Sequence, residues 1–531
     1  MPDNGCVEIR TTGVVGLGTM GAGIVEVFAK AGLDVVAVEI NDDLLAAGRG
    51  RLEQSFAKAV ERGKLTESDR DAHLARIRFT TDRADLAAAD LVTEAIPERL
   101  EIKAELFADL DRICPAHTVL ATNTSSLSIT RIAASSGRPD RVVGMHFFNP
   151  APVMKLVEVI STVMSDAAVV DGVRRLAETC GKTPVVVGDR AGFVANALLF
   201  GYLNDAARAA EAGQADVAAI DAAIVAACGF PMGPLTLMDL IGLDVSLEVM
   251  ETLFEETRDQ RYAPSPLLKR LVVAGRLGRK TGTGYYDYAQ RPPVAALDPV
   301  QFAAGTPRDA AAAVAVTSGT KSAVVDALGA TVSVVPVEDV GAADVVIVDG
   351  GSRAGTAELA ARAASRAKPG AVIAVASTDE APVGTIAASL PRPADVVGLH
   401  VPLAPRPGVV EVVATIESDA DAVATAAAVV TGAGLVAIAC RDRPGHVVES
   451  IVMPHLGDAV RMVDDGYATA EDVDTAMRLG CGYPAGPFEL LRGVGADNLR
   501  SRLIHLAAAT HRASLAPSPL LDELAAFESR G

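Results

Sequence analysis

Four stretches of this chain recur in the same order further along it, and that repetition restricts the fold more than any other feature. VVGMHFFNPAPVMKLVEVI (142–160) lines up with VVGLHVPLAPRPGVVEVV (396–413), and DRAGFV (189–194) with DRPGHV (442–447). DAAIVAACGFPMGPLTL (221–237) lines up with DTAMRLGCGYPAGPFEL (474–490), and YAPSPLL (262–268) with LAPSPLL (515–521). The register is steady: 400 − 146 is 254 for the histidines, while 445 − 192, 484 − 231 and 517 − 264 are all 253. One deletion between the His and the Glu of the first motif explains the step. The chain is two copies of one unit. The first runs to about Tyr288, and a Pro/Ala-rich join follows over 289–308. The second copy ends without a counterpart of RKTGTGYYDY.

Residues 14–40, VVGLGTMGAGIVEVFAKAGLDVVAVEI, read strand, turn, helix, strand. The turn holds Gly16, Gly18 and Gly21 in G-x-G-x-x-G spacing, with Thr19 and Met20 at the helix start. Gly16 permits the tight turn, Gly18 admits a pyrophosphate against the backbone, and Gly21 lets helix and strand pack closely. Glu39 closes the second strand, 23 residues after Gly16. A carboxylate there can bond both ribose hydroxyls of NAD and repels a 2′-phosphate. Strands are further expected in ADLVTEAI (89–96), TVLATN (118–123) and RVVGMHFFNP (141–150). Ligands collect at the C-terminal ends of such strands, which draws attention to Glu98, Ser125, His146 and Asn149.

His146 ends an apolar strand, and Glu158 follows twelve residues later among apolar neighbours. A buried carboxylate beside an imidazole fixes its tautomer, raises its pKa and stabilises the imidazolium. A dehydrogenase needs such a base to take the alcohol proton while hydride leaves for a nicotinamide.

TNTSSLSI, GMHFFNPAPVMKLVEVI, DRAGFVANALL, GFPMGPLTLMDLIGLD and GRKTGTGYYDY resemble the signature motifs of the L-3-hydroxyacyl-CoA dehydrogenases over about 12–288. The two-copy layout is most similar to the longer bacterial 3-hydroxybutyryl-CoA and 3-hydroxyadipyl-CoA dehydrogenases. The resemblance implies a Rossmann-type doubly wound α/β sheet plus an all-helical domain, the unit duplicated with a degenerate second copy. It implies NAD-dependent oxidation of a short-chain L-3-hydroxyacyl-CoA, such as 3-hydroxybutyryl-CoA, with 3-hydroxyadipyl-CoA as the alternative substrate. His146 would be the base and Glu158 its partner. Ser125 would bond the substrate oxygen and Asn196 would polarise it. Glu98, Lys103, Asn149 and Lys280 would meet the cofactor, and Ser55 and Arg62 the CoA. Two departures stand out: Ala191 where the family has Pro, and Ala197 where it has Arg. The second puts the local support of Asn196 in doubt.

The second copy retains His400 and Glu411 but has no G-x-G-x-x-G. ASTD (376–379) replaces NTSS, Leu403 replaces Asn149, and Glu449 replaces Asn196. It is expected to be a packing remnant rather than a second active site. The expected domains are 1–188 (NAD-binding), 189–288 (helical), 289–308 (linker), 309–440 (degenerate Rossmann-like) and 441–531 (second helical). An internal pseudo-dimer follows from two helical domains on one chain, with further homodimerisation left open. A sister group acting on sugar acids, and a non-enzymatic NADH or acyl-CoA sensor, are the rival readings. The CoA-site residues argue against the first and the intact His146, Glu158, Ser125 and Asn196 against the second.

Composition narrows the partners. With 48 Lys and Arg against 67 Asp and Glu the net charge is −19, which argues against nucleic acid and anionic membranes. Ala422 to Cys440 is 19 residues without a charge, but TGAG interrupts it. Its counterpart in the first copy contains VRRLAETCGK, so it reads as helix, turn and buried strand rather than a membrane span. The first ten residues are polar and the six cysteines and eight histidines lack zinc spacing. A cytoplasmic protein without a metal or disulfide framework is expected.

Overall fold

The computed structural model describes residues 7–290, 301–302, 305–307, 314–318, 323–329, 332–376 and 382–528. The join and the second copy's 377–379 segment therefore fall largely outside the described residues. The chain forms two compact units, Met1–Ala197 with Gly466–Gly486, and Leu198–Asp465 with Pro487–Gly531.

The first unit is built on an eight-stranded sheet. Its strands are β1 (Thr11–Val15), β2 (Asp34–Val38), β3 (Ile77–Thr80), β4 (Leu91–Glu94), β5 (Val119–Thr122), β6 (Val142–Phe147), β7 (Leu156–Ser161) and β8 (Thr183–Gly188). The order is β3-β2-β1-β4-β5-β6-β7-β8. Neighbours run parallel except β6 and β7, which are antiparallel with His146 opposite Glu158. Strand order reverses between β1 and β4, the crevice where doubly wound sheets take ligands. Helices cover both faces, so VVGMHF and LVEVIS are buried almost throughout. Phe28 of helix Thr19–Lys30 meets Phe147 edge-on at 6.2 Å within this core.

A piece of the second copy completes this unit. Helix Ala470–Cys481 packs on β7 and β8. Tyr467 just before it donates its hydroxyl to Gly188 O at 2.8 Å and lies under the Arg190 guanidinium.

The second unit repeats the sheet. Its strands are β9 (Gln301–Phe302), β10 (Val314–Ser318), β11 (Ser333–Val334), β12 (Val345–Asp349), β13 (Val372–Ala376), β14 (Val396–His400), β15 (Val409–Ala414) and β16 (Val436–Arg441). The order is β11-β10-β12-β13-β14-β15-β16-β9. β14 and β15 are again antiparallel, with His400 opposite Glu411. Here the exchange runs the other way: helix Val217–Cys228 of the first copy packs on β15 and β16. The Arg406 amide donates to Ala227 O and the Arg441 amide to Gln214 O. Arg261 is buried between Asp205 and Asp458, the same position of the repeat 253 residues apart, and is ion-paired to both. The stretch Ala422–Cys440 forms helix Ala420–Gly432 and β16. No helix among the described residues is long and apolar enough to cross a membrane.

Candidate active site

The Gly-rich turn opens a cavity of about 750 Å³ at the reversal of strand order, lined by Gly16, Gly18, Thr19, Met20 and Glu39 among others. Gly16 has φ +91°, and a Cβ on it would stand 2.8 Å from Ala95 O. A Cβ on Gly21 would strike Gly16 O, so this glycine sets how closely helix and strand approach. A Cβ on Gly18 would meet nothing within 4 Å, so the space beside it is open to a ligand. Helix Thr19–Lys30 begins at Gly18 without a side-chain cap, leaving its first amides and positive dipole end for an anion. Glu39 accepts the Leu17 amide at 2.7 Å and the Ile40 amide at 2.9 Å, which holds its carboxylate at the cavity wall. This donor set fits a dinucleotide: amides for pyrophosphate and a carboxylate for a ribose.

Glu98 organises the loop after β5. It accepts from the Thr124 hydroxyl at 2.5 Å, the Ser125 amide at 2.9 Å and the Ser126 amide at 3.3 Å. Burial raises its pKa, but Lys103, Thr124 and Ser125 more than offset this, and the net shift is downward. Lys103 does not line the cavity. It is 1% exposed and ion-paired with Glu94 at 2.5 Å and Glu98 at 3.2 Å, so the structure places it behind the site. Glu94 moves the other way, because burial outweighs Lys103.

At the ends of β6 and β7, His146 Nδ1 lies 2.7 Å from Glu158 Oε2. Glu158 is fully buried, and its Oε1 accepts the amides of Val194 and Ala195, both at 3.0 Å. The turn that presents these amides has Gly192 at φ +73° and Phe193 at φ +49°. Left-handed backbone at a bulky residue costs energy, and here it aims two donors at one carboxylate oxygen. Phe148 and Phe193 flank the imidazole at 4.5 and 5.6 Å. Asn196 donates through Nδ2 to Ser125 O at 3.3 Å, so it is supported by the Ser125 loop without an arginine at Ala197. Asn149 is exposed just beyond β6.

The remaining candidates lie apart. Ser55, on helix Asp42–Glu61, and Arg62, its C-cap, are seven residues apart and share a face. Lys280 belongs to the second unit, with Nζ 2.6 Å from both carboxylate oxygens of Asp244. Sequence reasoning missed Asp189, which accepts from Ser128 and from the amides of Ile129 and Thr130 at the start of helix Ile129–Ala133. Its repeat counterpart Asp442 accepts the Gly384 amide in the same way, so its recurrence was the available signal.

A sheet with a dinucleotide cavity at its switch point and a buried His–carboxylate pair at the ends of its strands is the arrangement of a nicotinamide-dependent dehydrogenase. The family model described as 3-hydroxyacyl-CoA dehydrogenase, NAD binding domain, matches residues 11–190 and 353–443. Its C-terminal domain counterpart matches 192–288 and 445–531. The chain belongs to the 3-hydroxyacyl-CoA dehydrogenase family. It is similar along its length to 3-hydroxyadipyl-CoA dehydrogenase of Escherichia coli, at 34% identity over 98% of this chain and 99% of that one. Its first copy is 48% identical to 3-hydroxybutyryl-CoA dehydrogenase of Mycobacterium tuberculosis, over 53% of this chain and 99% of that one. A crystal structure of 3-hydroxybutyryl-CoA dehydrogenase from E. coli K12 superposes with TM-score 0.79 at 34% identity, covering 98% and 99% of the two chains.

Proposed function

We propose that the first copy carries the whole active site for oxidising a short-chain L-3-hydroxyacyl-CoA to the 3-ketoacyl-CoA, using NAD in preference to NADP. The observation that carries this reading is the 2.7 Å contact between His146 and Glu158, with Glu158 anchored by two backbone amides. Gly16, Gly18, Thr19, Met20, Gly21 and Glu39 would hold NAD, which supplies the hydride acceptor. Glu158 holds Nδ1 as the protonated ring nitrogen, so Nε2 takes the proton of the substrate hydroxyl. The resulting imidazolium is stabilised by the carboxylate beside it. Ser125 and Asn196, joined through the Ser125 carbonyl, hold the substrate oxygen as it becomes a carbonyl. Glu98 and Lys103 act together: the ion pair fixes the loop that carries Ser125. Asn149 and Lys280 are assigned to the cofactor, and Ser55 and Arg62 to CoA.

The domain division read from the sequence is retained as part of this proposal, with the two helical domains paired within one chain in place of a homodimer. The Arg261 ion pairs to Asp205 and Asp458 support that pairing. The names of the relatives favour 3-hydroxybutyryl-CoA or 3-hydroxyadipyl-CoA as substrate. Comparing kcat/KM for the two by NADH absorbance tests the proposal. We expect turnover of both with 3-hydroxybutyryl-CoA preferred, and activity with neither overturns the reading.

A further inference from the structure

The second copy has a buried polar cluster where the first has its catalytic pair. Glu411 repeats Glu158 and keeps the same backbone cradle, accepting the amides of Val447 and Val448 at 2.9 Å each. His400 does not keep the partner of His146. Its Nε2 stands 3.9 Å from Glu411 Oε2 and 3.3 Å from Glu449 Oε1. Two replacements underlie the change. Where the first copy has Phe193 and Asn196, the second has His446 and Glu449, 253 residues later. A phenyl ring and an amide have become an imidazole and a carboxylate, so the cluster holds two of each.

All four side chains are closed off from solvent: His400 is 3% exposed, Glu411 0%, His446 4% and Glu449 0%. Both ring nitrogens of His446, Oε2 of Glu411 and Oε2 of Glu449 are buried without a hydrogen-bond partner. The neighbours do not satisfy them. The Leu403 amide donates to Glu449 Oε1 at 2.7 Å, and Arg502 Nε stands 3.5 Å from Glu449 Oε2. The His400 and His446 rings stack at 4.5 Å, and His505 also bears on His446. Buried nitrogen and oxygen atoms left this way are costly unless something binds them.

We propose that His400, Glu411, His446 and Glu449 bind a divalent transition-metal ion of the zinc type in a closed, structural site. One ligand atom from each of His400, Glu411 and His446 already lies within 4.8 Å of the others. Bonds of about 2.0–2.2 Å put neighbouring ligands of a tetrahedral zinc about 3.4 Å apart. The 3.3 Å separation of His400 and Glu449 meets that spacing, and the His400, Glu411 and His446 atoms, within 4.8 Å of one another, approach it with side-chain shifts of about 1 Å. Two imidazoles with two carboxylates suit zinc rather than magnesium or calcium, which take oxygen ligands throughout. Four protein ligands leave no open position, so the ion holds structure and does no chemistry. It ties β14 and β15 to the turn before helix Val448–Asp464 and to the first turn of that helix. The first copy lacks two of the four ligands at Phe193 and Asn196. The four proposed ligands are spread over 49 positions of the sequence, 449 − 400, and are gathered by the fold rather than by a local spacing.

Elemental analysis of the full-length chain, freed of any histidine tag, loaded with zinc and dialysed against metal-free buffer, tests this. About one zinc per chain is expected, and cobalt in its place should give the visible bands of a tetrahedral centre. The double variant H446F/E449N restores the first copy's residues and should retain below about 0.1 zinc per chain. Should it fail to fold, E449Q keeps the shape of the side chain and should hold zinc at least about tenfold less well against a competing chelator. Chelation should lower the melting temperature of the wild type by more than that of E449Q. Wild-type protein retaining below about 0.1 zinc per chain after loading, or zinc retention undiminished in the variants, overturns the proposal.

Discussion

His146 Nδ1 lies 2.7 Å from Glu158 Oε2, and the other oxygen of that carboxylate is occupied by two backbone amides. The carboxylate therefore cannot turn away without leaving two buried donors unpaired. Replacing His146 with Gln should lower kcat by about 10²–10⁴-fold with little change in NADH affinity. Glu158→Gln should do much of the same damage, because the pair acts as a unit. Near wild-type turnover in either variant, followed by NADH absorbance, would remove the assignment.

Cofactor preference rests on Glu39. Its carboxylate is fixed at the cavity wall by the Leu17 and Ile40 amides, so it meets a 2′-phosphate as a rigid like charge. NADH should exceed NADPH in kcat/KM by at least about one to two orders of magnitude. Equal values would refute this.

Gly480 connects the second copy to the imidazole of His146. A Cβ there would lie 2.8 Å from a Leu156 methyl and 3.2 Å from the Phe148 ring. Phe148 in turn lies against His146 at 4.5 Å. Gly480→Val should lower kcat about tenfold, although it alters the copy that has no glycine motif. NADH affinity should hold, since the cofactor cavity lies on other strands. Unchanged kinetics would show that Phe148 yields freely.

The second copy should bind no dinucleotide. Calorimetry should give about one NADH per chain. Two NADH per chain would contradict the expectation that the second copy lacks a dinucleotide site.

Asp221 gives the helical region a pH signature. It is fully buried and accepts the amides of Leu235 and Thr236 and the hydroxyls of Thr236 and Tyr286. Burial raises its pKa to about 6, against 3.8 for an exposed aspartate, and the hydrogen bonds only partly counter this. In that interval the folded chain keeps a proton that the unfolded chain has released. The contribution is complete below about pH 3.8 and lost as pH rises through about 6. Urea melts should show the stability of the wild type, relative to Asp221→Asn, falling by about 3 kcal/mol across this window. A difference that does not vary with pH would count against it.

Much of the sheet was legible because parallel strands covered on both faces need unbroken Val, Ile and Leu runs, as in VVGMHF and LVEVIS. The meeting of His146 and Glu158 was legible for the same reason: two adjacent strands joined by a short loop bring such residues opposite one another. Lys103 was not. PERLEIK fixes its place on a helix, but only the packed structure shows its ammonium turned inward to Glu94 and Glu98. The cluster around His400 was hidden for a related cause. Repeat alignment pairs His400 with His146, yet side-chain rotation toward Glu449 depends on neighbours that sequence spacing does not encode. Short β3 (IRFT) went unmarked because it alternates weakly and follows a charged hairpin.

The exchange of helices between copies also sets an order of assembly on the ribosome. β8 is synthesised early, but Tyr467, which bonds the carbonyl at its end, is 279 residues further on. The helix that covers β7 and β8 follows Tyr467. A nascent chain therefore carries β7 and β8 without this cover through most of translation. Closing so long a loop is slow relative to local folding. Synthesis of residues 467–481, rather than completion of the first half, is the event that covers β7 and β8.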